Sequence, residues 1–175
     1  MGLDVTAYKN ITFIQCDLDE DYEPLIEIGE DYICLSDNHD FPYTICGLRD
    51  DGVYMYETCE VMAAGSYSGY NNWRNLLAKF AGYPESPIVQ YGRLEYRYDA
   101  GAWLEELGDF IELINFSDCE GTIGTELCEK LYTDFMNNLD RLENDRNYDE
   151  NFKTKYRGWL SLFELARHDG CVTFH

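Results

Sequence analysis

Apolar and polar positions change rhythm about a third of the way along the chain. Before that point, short apolar runs separated by polar turns predict strands at Leu3 to Tyr8, Ile11 to Cys16, Leu25 to Ile28, Tyr32 to Leu35, Tyr43 to Leu48 and Gly52 to Tyr56. Arg49-Asp50-Asp51-Gly52 predicts a hairpin between the last two, because Gly at the turn tolerates positive φ. Asp17 to Asp31 carries eight acids and no base and is interrupted by Pro24, which predicts a solvated loop leading into an edge strand.

Beyond Ala63 the spacing becomes helical. Trp73, Leu76, Leu77 and Phe80 predict an amphipathic helix over Tyr70 to Ala81, stopped by Gly82 and Pro84. Asp99 to Leu107 predicts a short helix with Trp103 and Leu107 on one face, and Phe110 to Phe116 a buried strand. From Thr122, the residues Ile123, Leu127, Leu131, Phe135, Leu139 and Leu142 predict a long helix with an acidic opposite face. After a polar break at Asn144 to Asp149, a last helix runs from Glu150 to His168 with Phe152, Tyr156, Trp159, Leu160 and Phe163 inward. Gly170 then serves as C′, and Cys171 to Phe174 is a terminal strand. Strands first and helices later give the α+β class: an N-terminal antiparallel sheet with long C-terminal helices packed on it, in a single domain over 1–175.

Composition restricts function more than fold. Apolar residues are 45% of the chain, enough for a packed core despite a formal net charge of −21. That charge argues against direct nucleic-acid binding, which needs clustered Lys and Arg. The absence of a long apolar run or a basic, apolar leader argues against a membrane role, so a cytoplasmic location is expected, the host cytoplasm if the chain is phage-encoded. The seven cysteines form no C-x-x-C pair and read as reduced thiols. His39, His168 and His175 make no ligand spacing with them, so neither a metal nor a cofactor is expected.

Two stretches carry candidate chemistry. Asn115-Phe116-Ser117-Asp118-Cys119-Glu120-Gly121-Thr122-Ile123-Gly124 places small polar side chains between an apolar run and the long helix. Ser117 with Glu120 fits a capping box, and Asp118 or Thr122 is an alternative N-cap; a helix start there would also favour an anion or a Cys119 thiolate. In Gly65-Ser66-Tyr67-Ser68-Gly69-Tyr70-Asn71-Asn72-Trp73-Arg74, Tyr67, Tyr70 or Trp73 would stack on a base and Arg74 would supply donors to phosphate. Arg93 and Arg97 are further cations that could converge there. The structural alternative makes Ser68 the helix cap, the aromatics core, and the arginines partners of acids. The ligand set is therefore Ser66, Tyr67, Ser68, Tyr70, Asn71, Trp73, Arg74, Arg93, Asn115, Ser117, Asp118, Glu120 and Thr122. Cys119 and Glu120 with His175, or with His168, form a catalytic alternative of the hydrolase or transferase type. Glu126, Glu129, Asp134, Asn138, Asp140, Glu143 and Asp145 form an acidic helix face that would imitate DNA toward a basic host protein. Tyrosines suited to an interface leave a homo-oligomer open.

Met1-Gly2-Leu3-Asp4-Val5-Thr6-Ala7-Tyr8, the Gly65 to Asn71 loop with Trp73-Arg74, Leu113 to Gly124 and the ending Asp169 to His175 together resemble an uncharacterised family of bacteriophage and bacterial proteins. The resemblance spans most of the chain and brings no activity with it. Its phage context implies an accessory role against host defence: a pocket between the Gly-Ser-Tyr loop and the Asp-Cys-Glu-Gly turn that sequesters a small nucleotide-derived signal. The alternatives are the acidic, DNA-like inhibitor and the Cys/Glu-dependent enzyme.

Overall fold

The computed structural model describes residues 2–20, 24–29, 31–35, 38, 40–41, 43–49, 52–90, 92–116 and 120–175. Strand β1 (Leu3–Lys9) organises the rest. Its side chains alternate, so Leu3, Val5 and Ala7 enter the main core while Tyr8 joins a second apolar cluster. With β5 (Thr58–Gly65), β8 (Gly121–Ile123) and β9 (Cys171–Phe174) it forms an antiparallel sheet of order β5-β1-β9-β8. A second antiparallel sheet, β2-β4-β3, joins β2 (Thr12–Ile14), β3 (Tyr32–Cys34) and β4 (Val53–Met55). Ile33, Leu35 and Tyr54 pack there with Tyr8 and Cys171, joining the two sheets. Strands β6 (Ser86–Gln90) and β7 (Arg93–Arg97) make a separate hairpin.

Helices cover the main-core face of the first sheet. They are α1 (Tyr67–Ala81), α2 (Tyr98–Ala102), α3 (Ile111–Asn115), α4 (Thr125–Asn144) and α5 (Glu150–Ala166). α5 lies across β1, β5 and β9 and pairs with α4, while α1 packs against α2, α3 and β5. The core they close is aromatic: Trp159 stacks on Trp73 at 5.3 Å and on Phe174 at 5.8 Å between centroids. The polar tip of buried Tyr156 donates to Phe135 O at 2.7 Å, so no hydroxyl is stranded there. The architecture is α+β, as the order of periodicities implies.

Several elements differ from the sequence pattern, each for a physical reason. Phe110 to Phe116 is not a strand; Phe110 sits at φ 61° with its N–H bonded to Asp134 Oδ2 at 2.7 Å, and α3 follows. A short apolar run does not by itself distinguish strand from buried helix. Tyr43 to Leu48 forms turns instead of a strand, and β4 pairs with β2 and β3, so the hairpin expected at 49–52 does not form; Asp50 and Asp51 lie outside the described residues. Leu25 to Ile28 is likewise no strand, with Leu25 63% exposed beyond an isolated Leu18–Pro24 bridge. The long helix starts at Thr125 because Gly121 to Ile123 pair with β9. Helix α2 ends at Ala102, leaving Trp103 and Leu107 exposed rather than on a buried face.

Two glycines are fixed by close approach. Gly124 caps α4 with its N–H on Thr44 O at 2.7 Å, and a Cβ there would lie 2.2 Å from Cys46 O. Gly170 is not a left-handed C′ residue: Asp169 takes that conformation at φ 46°, and a Cβ on Gly170 would lie 1.9 Å from Tyr8 O.

Candidate functional site

The start of α1 is built as the serines suggest, with the cap shifted. Ser66, not Ser68, is the N-cap, accepting from Gly69 N at 3.1 Å, and its Oγ lies 3.2 Å from Ser68 Oγ. The extra turn brings the helix start forward to Tyr67, which is exposed. One turn further, Tyr70, Trp73 and Arg74 point inward and are only 2 to 3% exposed.

These buried residues tie α1 to the segment preceding the Asp-Cys-Glu turn. Tyr70 Oη donates to Phe116 O at 3.0 Å, and Arg74 Nη1 donates to Ile114 O, so the last carbonyls around α3 receive side-chain donors. Arg74 Nη2 donates to Asn71 Oδ1, and the guanidinium lies 5.3 Å from the Tyr70 ring centroid. Burial pushes the Tyr70 phenol up and the Arg74 guanidinium down, the latter opposed by Tyr70 and Asp99. The two candidate stretches therefore meet, but Tyr70 and Trp73 meet as core and offer no stacking face to a ligand. Trp73 Nε1, Arg74 Nε and Asn115 Oδ1 are buried without a hydrogen-bond partner among the described residues.

Arg74 does reach one wall of an open cavity of about 190 Å³, lined by Asn71, Arg74, Ile88, Gln90, Arg97, Asp99 and Trp103. Arg97 grips Asp99 bidentately at 2.8 and 2.6 Å and donates to Asn71 O at 3.0 Å, which raises its pKa chiefly through the Asp99 hydrogen bonds. Asp99 thus neutralises Arg97, whereas Arg74 has no carboxylate within ion-pair distance among the described residues. Trp103, 48% exposed, lines the same cavity. Arg93 is exposed at the end of the hairpin, paired in register with Gln90. Ile88 and Gln90 escape the sequence reading because the β6–β7 hairpin does, although the Tyr91-Gly92 pair between Pro87-Ile88-Val89 and Leu94-Glu95-Tyr96 signals it; Asp99 and Trp103 fall in the predicted 99–107 helix and join the cavity only through the packing of α2 on the hairpin.

The remaining candidates gather elsewhere. Ser117, Asp118 and Cys119 lie outside the described residues. Glu120 is exposed, with its carbonyl accepting from Asn38 Nδ2 at 2.7 Å; Thr122 is 1% exposed in β8, so it caps nothing and a capping box has no helix start to serve. Asn115 is half-buried in α3. His175 is held to β1 by backbone bonds to Asp4 and by a 2.9 Å hydrogen bond between its Nε2 and Thr173 Oγ1. It lines a cavity of about 220 Å³ with Tyr8, Cys34, Thr122 and Thr173. His168, exposed beyond α5, is separate from this group. Burial pushes Cys171 up to about 12 and Cys128 well up, so these two thiols are poor nucleophiles. Among the described residues no group of His, Cys, Asp and Glu is arranged to hold a metal.

The acidic face of α4 is interrupted. Asp134 and Asn138 are buried, with Asp134 bridged to Lys130 at 2.8 Å, while Glu129 pairs with Arg167 and Glu143 with Arg157. Four of the seven positions expected to mimic phosphate are thus buried or neutralised. Among the described residues no helix is long and apolar enough to cross a membrane. No protein-family model, curated protein or solved structure matches this chain.

Proposed function

We propose that the protein binds a small nucleotide-derived ligand in the cavity between α1, α2 and the β6–β7 hairpin, and sequesters it without turnover. The observation that supports this most strongly is Arg74: a buried guanidinium at a cavity wall, held by neutral acceptors, with Nε left over. Asp99 offsets the Arg74 charge only from beyond ion-pair distance and is itself gripped by Arg97, and an anionic ligand group would add a closer counter-charge. About 190 Å³ suits one phosphate and its neighbours rather than a whole dinucleotide. The base would lie at the mouth, on the exposed face of Trp103, with Gln90 and Asn71 for polar selection. The role against host defence implied by the family resemblance would follow from withdrawing such a signal from solution.

The test is native mass spectrometry with a panel of cyclic and ADP-ribose-derived nucleotides, using the wild-type protein and Trp103→Ala, with the unbound fraction analysed for products. Trp103 is half exposed, so its removal should cost no more than about 1 kcal/mol of stability. The expected result is one intact ligand per wild-type chain and none on the variant. Equal retention by both proteins, or none across the panel, refutes the cavity; a converted ligand refutes sequestration.

A further inference from the structure

The β6–β7 hairpin carries its polarity inside out. In the register Pro87↔Tyr96 and Val89↔Leu94, these four residues share one face, while Ser86, Ile88, Gln90, Arg93, Glu95 and Arg97 share the other. An antiparallel sheet with one wet side normally turns its apolar face to the core. Here the polar face carries the cavity residues Ile88, Gln90 and Arg97, and the apolar face meets solvent, with Val89 71%, Leu94 62% and Tyr96 60% exposed. Pro87 is exposed beside them. Folding gains nothing from exposing these side chains, and a contiguous exposed apolar face of this kind marks an interaction surface.

Charge selects the occupant. The patch itself carries no charge, but exposed Glu85 immediately precedes β6, and exposed Glu105 and Glu106 follow α2, which packs on both strands. Arg93 at the hairpin end is the exposed cation of the two strands. A second copy of a chain with net charge −21 would be repelled, whereas a basic surface would be attracted. We propose that the outer face of this hairpin docks a protein whose contact surface is apolar at its centre and rimmed by Lys or Arg. This surface is separate from the ligand cavity and does not depend on it.

The experiment is fluorescence anisotropy of two labelled probes, an alternating Lys-Val peptide and an amphipathic Leu-Lys helical peptide, titrated with wild-type protein and with the charge-neutral double variant Val89→Ser/Leu94→Ser. Sedimentation velocity of both proteins runs alongside. The expected result is salt-sensitive binding of at least one probe, about tenfold or more weaker with the variant, at unchanged melting temperature and with both proteins monomeric. Equal binding by both proteins would reduce the effect to bulk charge and overturn the proposal, as would failure of both probes to bind. Self-association of the wild type that the variant loses would identify a second copy as the occupant instead, and also overturn it.

Discussion

Tyr70→Phe removes one hydroxyl from the junction between α1 and the segment ahead of the Asp-Cys-Glu turn. The ring stays packed among Trp73, Trp159 and Phe174, with centroid distances of 5.9 to 6.4 Å, so the loss is confined to the 3.0 Å hydrogen bond to Phe116 O. Phe116 is fully buried, and a buried carbonyl deprived of its donor costs about 1–3 kcal/mol. Removing a hydroxyl that burial already disfavours when ionised changes nothing at neutral pH, so the net loss should be about 1–2 kcal/mol. For a chain of this size that is a melting-temperature drop of about 3–6 °C. Urea and thermal melts by circular dichroism read it directly, with Tyr96→Phe on the exposed hairpin face as the control that should not move. A Tyr70→Phe protein as stable as wild type would mean that the hydroxyl does not secure Phe116, and would remove the physical link drawn between the two segments. The same burial implies that Arg74→Ala would lower stability together with any binding, which is why the ligand test uses Trp103.

Other consequences are as specific. Gly124→Ala forces a Cβ against the carbonyl of Cys46 and the backbone of Ile45 and should cost at least about 3 kcal/mol by urea melt; a cost below 1 kcal/mol would contradict the docking of α4 on the 43–48 turn. Alkaline stability should fall steeply. The folded pKa values of Tyr70, Tyr156, Cys128 and Cys171 are raised by burial, so the stability they hold is complete below about pH 9 and is lost as pH climbs through the folded values. Each such group contributes about 1.4 kcal/mol per pH unit in that window, so urea-derived stability that is flat from pH 9 to pH 11 would refute their burial.

Much of the architecture is legible in the residues, because long amphipathic segments state their period many times. Helix α4 repeats its apolar spacing from Leu127 to Leu142, and Gly82 ends α1 at φ 95° with its N–H on Ala78 O and Lys79 O. Short elements are a different matter. Thr122 reads as helix start or cap until β9 arrives from the far end of the chain to pair with it, a contact no local pattern encodes. Trp73 and Tyr70 illustrate the ambiguity of aromatic residues beside polar loops: composition suits a base-stacking platform, and tertiary packing makes them core. Arg74 enters the proposed site for a reason invisible in the sequence: once buried it lies at a cavity wall with no carboxylate in ion-pair distance among the described residues. The hairpin that supplies the rest of the cavity does alternate in sequence over Arg93 to Arg97, but that alternation does not say which face meets solvent, and here the apolar Val89, Leu94 and Tyr96 do.

The most direct test of the anion-anchoring role proposed for Arg74 is its guanidinium signal. In two-dimensional 1H–15N spectra of the wild-type protein, the Arg74 Nε–H, assigned with Arg74→Lys, should be protected from exchange by burial. Addition of the nucleotide retained in mass spectrometry should shift that resonance strongly, with the Trp103 indole N–H moving in the same titration. An Arg74 Nε–H that stays fixed at saturating ligand would contradict the account, because the bound anion would then lie somewhere other than against the one buried guanidinium the cavity exposes.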